Sequence, residues 1–264
     1  MKLCIASVAD QGVEVEHIVQ DAGSDDGTLD WLTADKRVKA FVEKDRGMYD
    51  AINRGLERAN GEILAYLNCD EQYLPNTLKA VEQHFREHSE VDVVFGDVVL
   101  TDAKGEYLAH RKMLPPLLYH TWVCQLSTLS CGMFFRSRLV KEKGMLFDAG
   151  LRDAGDAEWM IRVLRQGTRM GVLKQFTSVF AFTGANMSAS ANATRERREL
   201  AALAPAWARW FRAGIVLHHR LRRLVGGMYS QSPFSYEVFT LAEPQRRRVV
   251  KVDRPRVGWP SGSE

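Results

Sequence analysis

The chain has 264 residues, of which 45% are hydrophobic and 26% charged, and a net charge of +3. That is enough chain to bury the core of one large domain, or of one domain with an extension, and the composition is that of a soluble globular protein. The charge balance speaks neither for nor against a polyanionic partner, and no stretch reaches the ~18 apolar residues of a membrane span.

His17 to Gln20 reads as a short buried strand that runs into Asp21-Ala22-Gly23-Ser24-Asp25-Asp26-Gly27-Thr28, a turn rich in glycine and capping residues. Leu29, Trp31 and Leu32 begin a short helix, and Val38 to Val42 forms a second strand. Asp45-Arg46-Gly47 precedes a helix from about Met48 to Ala59, whose apolar positions keep helical spacing until Asn60-Gly61 stops it. Ile63 to Leu67 is a strand that ends in Asn68-Cys69-Asp70-Glu71. Pro75 suits the first turn of the helix that follows, Thr77 to Phe85. Val91 to Phe95 is a strand, and Asp97 to Tyr107 a hairpin turning at Asp102-Ala103-Lys104-Gly105. Residues 108–126 read as irregular. A short strand at Gly132 to Phe135, a helix at Ser137 to Lys143, a helix opened by Gly155-Asp156 and ended at Gly167, and a strand at Met170 to Leu173 complete the pattern. The alternation before residue 95 predicts an α/β, Rossmann-type open sheet that is mainly parallel with helices on both faces, and the hairpin after it makes the sheet mixed.

The candidate chemistry lies where strands end in acids. Asp70 and Asn68 alternate at a strand end, with Glu71 beside them. One or two carboxylates plus phosphate oxygens are how proteins hold Mg²⁺ or a similar hard cation. Asp70 is read as that ligand, against the plainer role of ending the strand or capping the helix. Asp156 stands before a helix and is either an N-cap or a general base, with Asp153 and Glu158 as competitors. Asp21 ends another strand, so the two acids suggest one cleft at the carboxyl edge of the sheet. Asp45-Arg46-Gly47 brings a cation to a helix N-terminus, where anions are already favoured. The histidines lack zinc spacing, and no P-loop, GxSxG or GxGxxG motif is present. Cys4, Cys69, Cys124 and Cys131 form no CxxC pair and no signal peptide follows Met1-Lys2, so a cytoplasmic protein with reduced thiols is expected.

Taken together, these residues resemble the family 2 glycosyltransferases of the GT-A fold. His17 to Thr28 resembles the family's nucleotide-binding strand and turn, and Glu43 to Gly55 its next signature. Leu67-Asn68-Cys69-Asp70-Glu71 resembles its DxD-type metal motif. Gly155 to Arg162 resembles the segment that supplies the base, and Thr183 to Ser188 a late loop near the acceptor. The resemblance implies a GT-A-like domain over 1–195 and inverting transfer from a nucleotide diphosphate sugar to a saccharide or lipid-linked acceptor. It further implies Mg²⁺ or Mn²⁺ on Asp70, Asp156 as base, and Asp21, Asp45, Arg46, Asn53 and Asn68 around the donor. No nucleic-acid partner is expected. Ala22, Asn68 and Gly155 depart from acids common in the family. The family also opens with a strand and loop ahead of the helix that Cys4 to Gln11 resembles. That strand is expected to be missing here, leaving Ile5 to Ala9 helical and an open edge beside Ile18-Val19. The alternative to an active enzyme is an N-terminally truncated, non-catalytic nucleotide- or sugar-binding remnant.

Arginines crowd Arg195 to Arg256. Residues 196–226 read as a basic amphipathic helical extension, with Trp207, Phe211, Leu217, Leu221 and Leu224 along one face. This 207–224 face either packs on the domain or a second subunit, or lies on the inner face of an anionic membrane. Residues 227–264 read as an Arg/Pro-rich tail, poorly ordered from Arg246.

Overall fold

The computed structural model describes residues 1–182 and 191–260. Its elements in chain order are α1 (Lys2–Ala9), β1 (Ile18–Asp21), α2 (Leu29–Leu32), β2 (Lys39–Val42), α3 (Met48–Arg58), β3 (Ile63–Ala65) and β4 (Gln72–Tyr73). Then come α4 (Thr77–Glu87), β5 (Val93–Asp102), β6 (Tyr107–Arg111), α5 (Leu118–Val123), β7 (Met133–Arg136), α6 (Arg138–Lys141), α7 (Gly155–Arg165) and β8 (Met170–Phe182). The last are α8 (Ala191–Ala202), α9 (Ala206–Trp210), α10 (Arg212–Val225), β9 (Phe234–Val238) and β10 (Arg248–Val252).

A six-stranded mixed sheet forms the frame. Its order is β3-β7-β5-β8-β4, with β6 paired to β5. β5 is buried along nearly its whole length. It runs parallel to β8 from Val93↔Met170 to Asp102↔Phe182, and it pairs antiparallel with β7 and then with β6. The ladder bends at Gly96–Val98, where the register shifts. A Cβ at Gly96 would collide with the Thr177 side chain, so this close approach needs glycine. The main core packs Val93, Phe95, Phe135, Leu139, Trp159 and Met160 between the sheet and α3 and α7.

β1 and β2 form a separate parallel pair, and among the described residues no strand pairs with the second edge of β1 or with the outer edge of β3. The interruption expected beside Ile18-Val19 is therefore present, and Ile5 to Ala9 is helical. α1 is pinned to β4 and to the start of α4. Ser7 Oγ accepts from Tyr73 N–H at 3.1 Å, and Gln11 bonds Leu74 O and Leu78 N–H at 3.0 Å each.

Four expectations are corrected. Residues 108–126 are not irregular: they continue β6 and form α5. β8 runs far beyond Leu173, because exposed Lys174 and Gln175 interrupt its apolar pattern without ending the strand. The segment after Arg246 is ordered as β10, antiparallel to β9, with Val250 and Val252 buried against Val99 and Val179. Its period-two alternation is masked by the surrounding arginines. Finally, 196–226 is not one helix. Pro205 separates α8 from α9, and Phe211 lies between α9 and α10.

Arg247 locks the β9–β10 hairpin to α1. Its guanidinium makes a two-bond ion pair with Asp10, 2.6 Å each, and donates to Tyr73 O, Glu237 O and Ser7 O. The Arg247 side chain is buried while Asp10 is partly solvated, so the three carbonyl bonds matter more than the screened ion pair. Arg247→Ala is expected to cost ~2 kcal/mol in urea denaturation and to expose the hairpin to proteolysis. A variant as stable and as resistant as the parent would refute this anchoring role.

Candidate active site

β3 stops at Ala65, so Asn68 to Glu71 is a β-turn and not a run of alternating strand positions. The turn is closed twice: Glu71 N–H donates to Asn68 O at 3.0 Å, and Asn68 N–H to Glu71 Oε2 at 2.8 Å. Cys69 and Asp70 are thereby held at its exposed tip. Glu71 lies underneath, 1% exposed, with Oε1 lacking a partner. Burial pushes its carboxyl up to about 7, with the charge of Asp70 adding to the rise against the Asn68 hydrogen bond. No group of three or more acidic, histidine or cysteine ligands exists among the described residues. The oxygen donors present are those a hard cation takes when substrate phosphates complete its shell. Asp70 and Asn68 are the oxygen-bearing side chains this turn offers such a cation.

Asp156 lies in the first turn of α7, half-buried. Enclosure raises its pKa above the ordinary carboxylate range, against the pull of the Ala157 N–H at 2.7 Å and of the Arg197 charge. Its competitors are engaged elsewhere. Glu158 pairs with Arg162 at 2.7 Å, and Asp153 accepts from Asn192 at 2.8 Å. Tyr49, at the start of α3, reaches across to this turn, and its hydroxyl accepts from Asp156 N–H at 3.1 Å. A Cβ on residue 155 would lie 2.5 Å from the Tyr49 ring. Gly155 is therefore what lets the ring sit on the helix start. Tyr49 stacks on Phe147, and Phe147 on Trp159. Tyr66 touches Phe147 edge-on and feels the charges of both Asp156 and Glu71.

Three of the expected donor residues are used within their own segments. Asp21 is buried, and its carboxylate accepts from Gly23 N–H, Ser24 N–H and Ser24 Oγ at 2.7 to 2.9 Å. Burial alone would raise its pKa, but these bonds outweigh it and hold the group below its ordinary value. Asp45 closes its turn through Gly47 N–H. Arg46 is exposed but paired with Asp50 at 2.8 Å, and Arg54 grips the other oxygen of Asp50 at 2.9 Å. The Arg46 hydrogen bond leads in drawing Asp50 down to about 2. Asn53 has a structural task as well: both ends of its amide bond the backbone of Phe147, at 2.8 Å each, so it clamps α3 to the loop before α7.

Glu196 is the residue that sequence reading missed. From α8 it inserts a buried carboxylate that accepts from three successive backbone N–H groups, Arg152, Asp153 and Ala154, at 2.9 to 3.0 Å, and from Asn192 at 2.8 Å. It completes the approach to α7 that no local side chain caps. Its spacing among surface charges offered no signal. The segment Thr183 to Ser188 lies outside the described residues.

Comparison with known proteins gives one family. The family model described as glycosyl transferase family 2 matches residues 1–144. The PGL/p-HBAD biosynthesis glycosyltransferase of Mycobacterium bovis (strain BCG / Pasteur 1173P2) is 36% identical over 104 residues, covering 37% of this chain and 41% of the relative. Glycosyltransferase AglE of Haloferax volcanii is 27% identical over 178 residues, covering 62% and 57%. The chain thus spans about two fifths of the former relative's length. Among solved structures, residues 1–349 of S. aureus TarS in complex with UDP superpose with a TM-score of 0.55 at 20% identity, covering 76% of this chain and 60% of that one. That likeness is one of fold.

The Glu196 contacts carry a test. Its hydrogen bonds outweigh burial and hold its pKa below the ordinary 4.5. Its contribution is therefore complete above pH 4.5 and is lost as pH falls through the lowered folded value. Glu196→Gln is expected to cost ~1–2 kcal/mol and Glu196→Ala ~3 kcal/mol at neutral pH. The gap between parent and Glu196→Gln should close in acid. Denaturation curves from pH 7 to about pH 3 that stay parallel would refute the assignment.

Proposed function

Because the chain belongs to glycosyl transferase family 2, we propose that it transfers a sugar from a nucleotide diphosphate sugar to an acceptor hydroxyl, inverting the anomeric carbon. The observation that carries this reading is the contact between the starts of α3 and α7. Through it Tyr49 holds the Asp156 end of α7, and nearby Tyr66 feels the charges of both Asp156 and Glu71, the last residue of the Asp70 turn. The acceptor oxygen attacks the anomeric carbon from the face opposite the nucleotide, and its proton passes to a carboxylate oxygen of Asp156. The bond from that carbon to the diphosphate oxygen breaks, and the nucleotide diphosphate leaves with the electron pair. A carboxylate raised by enclosure is a better base at neutral pH than an exposed one. Asp70, with Asn68 beside it, would hold Mg²⁺ or Mn²⁺, which when bound supplies Lewis-acid stabilisation of the leaving diphosphate. Arg46, with Asp45 and the Asp21 loop, forms the donor side. TarS has been solved with UDP and with UDP-GlcNAc, which makes these the first probes.

The acceptor is a saccharide or a lipid-linked molecule, and the outward face of α9–α10 favours the second. Trp210 is 94% exposed, and Trp207, Phe211, Leu217, Leu221, Leu224 and Val225 are exposed with it. Leaving such side chains in water forgoes ~1.5–3 kcal/mol each. From Leu200 to Tyr236 the chain carries five arginines and no acid. An apolar face flanked by cations suits an anionic bilayer. No helix among the described residues is long and apolar enough to cross a membrane, so the contact is with its surface. The interrupted sheet favours a second reading, a non-catalytic nucleotide- or sugar-binding remnant.

Paired variants separate the roles. Asp70→Asn should remove the metal-dependent part of UDP affinity measured by calorimetry. Asp156→Asn should keep that affinity and lower turnover about 10²-fold or more. Unchanged UDP binding in Asp70→Asn sinks the metal role, and unchanged turnover in Asp156→Asn moves the base to Asp153 or Glu158. Nucleotide binding by the parent without transfer to any acceptor would select the remnant.

For the surface contact, vesicles of phosphatidylglycerol and phosphatidylcholine should sediment the chain at low salt. Trp210→Ser combined with Leu217→Ser and Leu221→Ser should release it. Equal sedimentation with pure phosphatidylcholine, or none at all, argues against the membrane role.

A further inference from the structure

α10 is turned inside out. Its leucines face solvent, while His219 and Arg223, one turn apart, face the protein. There they meet His120 of α5 and Arg111 at the end of β6. His120, His219, Arg111 and Arg223 are 4, 7, 8 and 9% exposed. The two imidazoles stack with centroids 3.8 Å apart and planes 22° apart. Arg111 lies over the Trp259 ring and Arg223 over the Tyr229 ring, at 5.1 and 5.2 Å. Arg222 borders the group and donates to Pro115 O at 3.3 and 3.4 Å. Among the described residues no ion pair involves Arg111, Arg222 or Arg223, and Arg111 Nε, His120 Nδ1 and His219 Nδ1 are buried without any hydrogen-bond partner.

From this arrangement we propose that Arg111, His120, His219 and Arg223 form a binding site for a phosphate-class oxyanion, separate from the donor site. Buried cations without a counter-ion are among the costliest arrangements a protein holds. Arginine cannot escape by losing its proton near neutral pH. Burial, reinforced by Arg223, brings Arg111 down only to about 10, so it stays charged. The histidines do yield. Burial, then the neighbouring His120, Arg223, Arg222 and Arg111, presses His219 down to about 4, and His120 is likewise lowered, by burial first. The cluster is thus one to which an anion restores both charge balance and hydrogen bonds. Two guanidinium forks with two imidazole N–H groups suit a tetrahedral dianion better than a single carboxylate. The inference stands on these side chains alone and does not depend on the sugar-transfer reading. A free phosphate and the headgroup of a phosphate-bearing lipid share this chemistry. The exposed apolar side of α10 brings the second within reach.

The test uses the full chain in EDTA, which removes the metal-dependent donor site from the readout. Inorganic phosphate is titrated against chloride at matched ionic strength. Saturable binding by calorimetry is expected, with an unfolding midpoint raised by about 3–6 °C. Arg111→Met with Arg223→Met removes buried like charge, so this variant should be at least as stable as the parent without phosphate, and it should lose the response. If it does not fold, the His120 and His219 ring titrations in the parent serve instead, and phosphate should move both upward in pH. Vesicles of phosphatidic acid form the second arm. A response to them and not to free phosphate assigns the anion to a lipid headgroup, and a response to free phosphate assigns a soluble anion. The proposal is overturned if neither probe exceeds chloride, if the folded double variant responds like the parent, or if the ring titrations stay where they were.

Discussion

The pairing of β5 with β8 is the constraint from which the functional edge hangs. Ten register pairs join them, and the bend at Gly96–Val98 lets one strand serve β7 on its first half and β6 on its second. The first half sets β7 beside β3, whose exit delivers Tyr66 and the Asp70 turn. Beside the second half, β8 receives β4, and the β9–β10 hairpin packs against Val99 and Val179. The two glycines at the bend are tied to this geometry. A Cβ on Gly132 would meet Gly96 O at 2.7 Å, so β7 and β5 approach more closely than side chains permit. Neither position touches the candidate chemistry, yet both decide where it lies.

The site is assembled from short-range contacts between helix starts. Tyr49 reaches α7, Asn53 fastens the loop ahead of it, and Glu196 fills the N–H groups that the loop leaves open. Tyr49 and Glu196 converge on the segment Arg152 to Asp156 from two other helices, and Asn53 holds Phe147 ahead of it. The backbone at Asp156 is therefore held by residues distant in sequence, while its carboxylate accepts from the Ala157 N–H of its own turn. That explains how a half-buried carboxylate keeps a raised pKa without drifting into an ion pair, as Glu158 and Asp50 do.

Much of this was legible in the sequence, for identifiable reasons. The α3 and α7 starts and the β1 strand carry strong local punctuation by glycine, asparagine and aspartate, and formed where expected, while β3 stopped two residues short and left Asn68 to Glu71 as a turn. What failed lacked local signals. β8 looked short because Lys174 and Gln175 break the pattern in the middle of a real strand. β10 was hidden by arginines, one of which, Arg247, is itself buried. The clamp that Asn53 makes was hidden because its partner Phe147 is 94 residues away. The amphipathic period of the last helices was visible. Which face turned inward was not, because hydropathy assigns the leucines to the core and the structure assigns His219 and Arg223.

The separation of β1–β2 from the larger sheet has a consequence for cooperativity. No backbone ladder joins the two sheets among the described residues. Their connection runs through α3, chiefly by Arg54 and Arg58 on Glu43 and by Arg58 on Gln20, all partly solvated. Side-chain ties of this kind break at far less free energy than a buried ladder, so this part is a separate opening unit. The amides of Ile18 to Asp21 are expected to exchange in a subglobal class below that of β5, so a nucleotide seated on the Asp21 loop would be read first in the exchange rates of this unit.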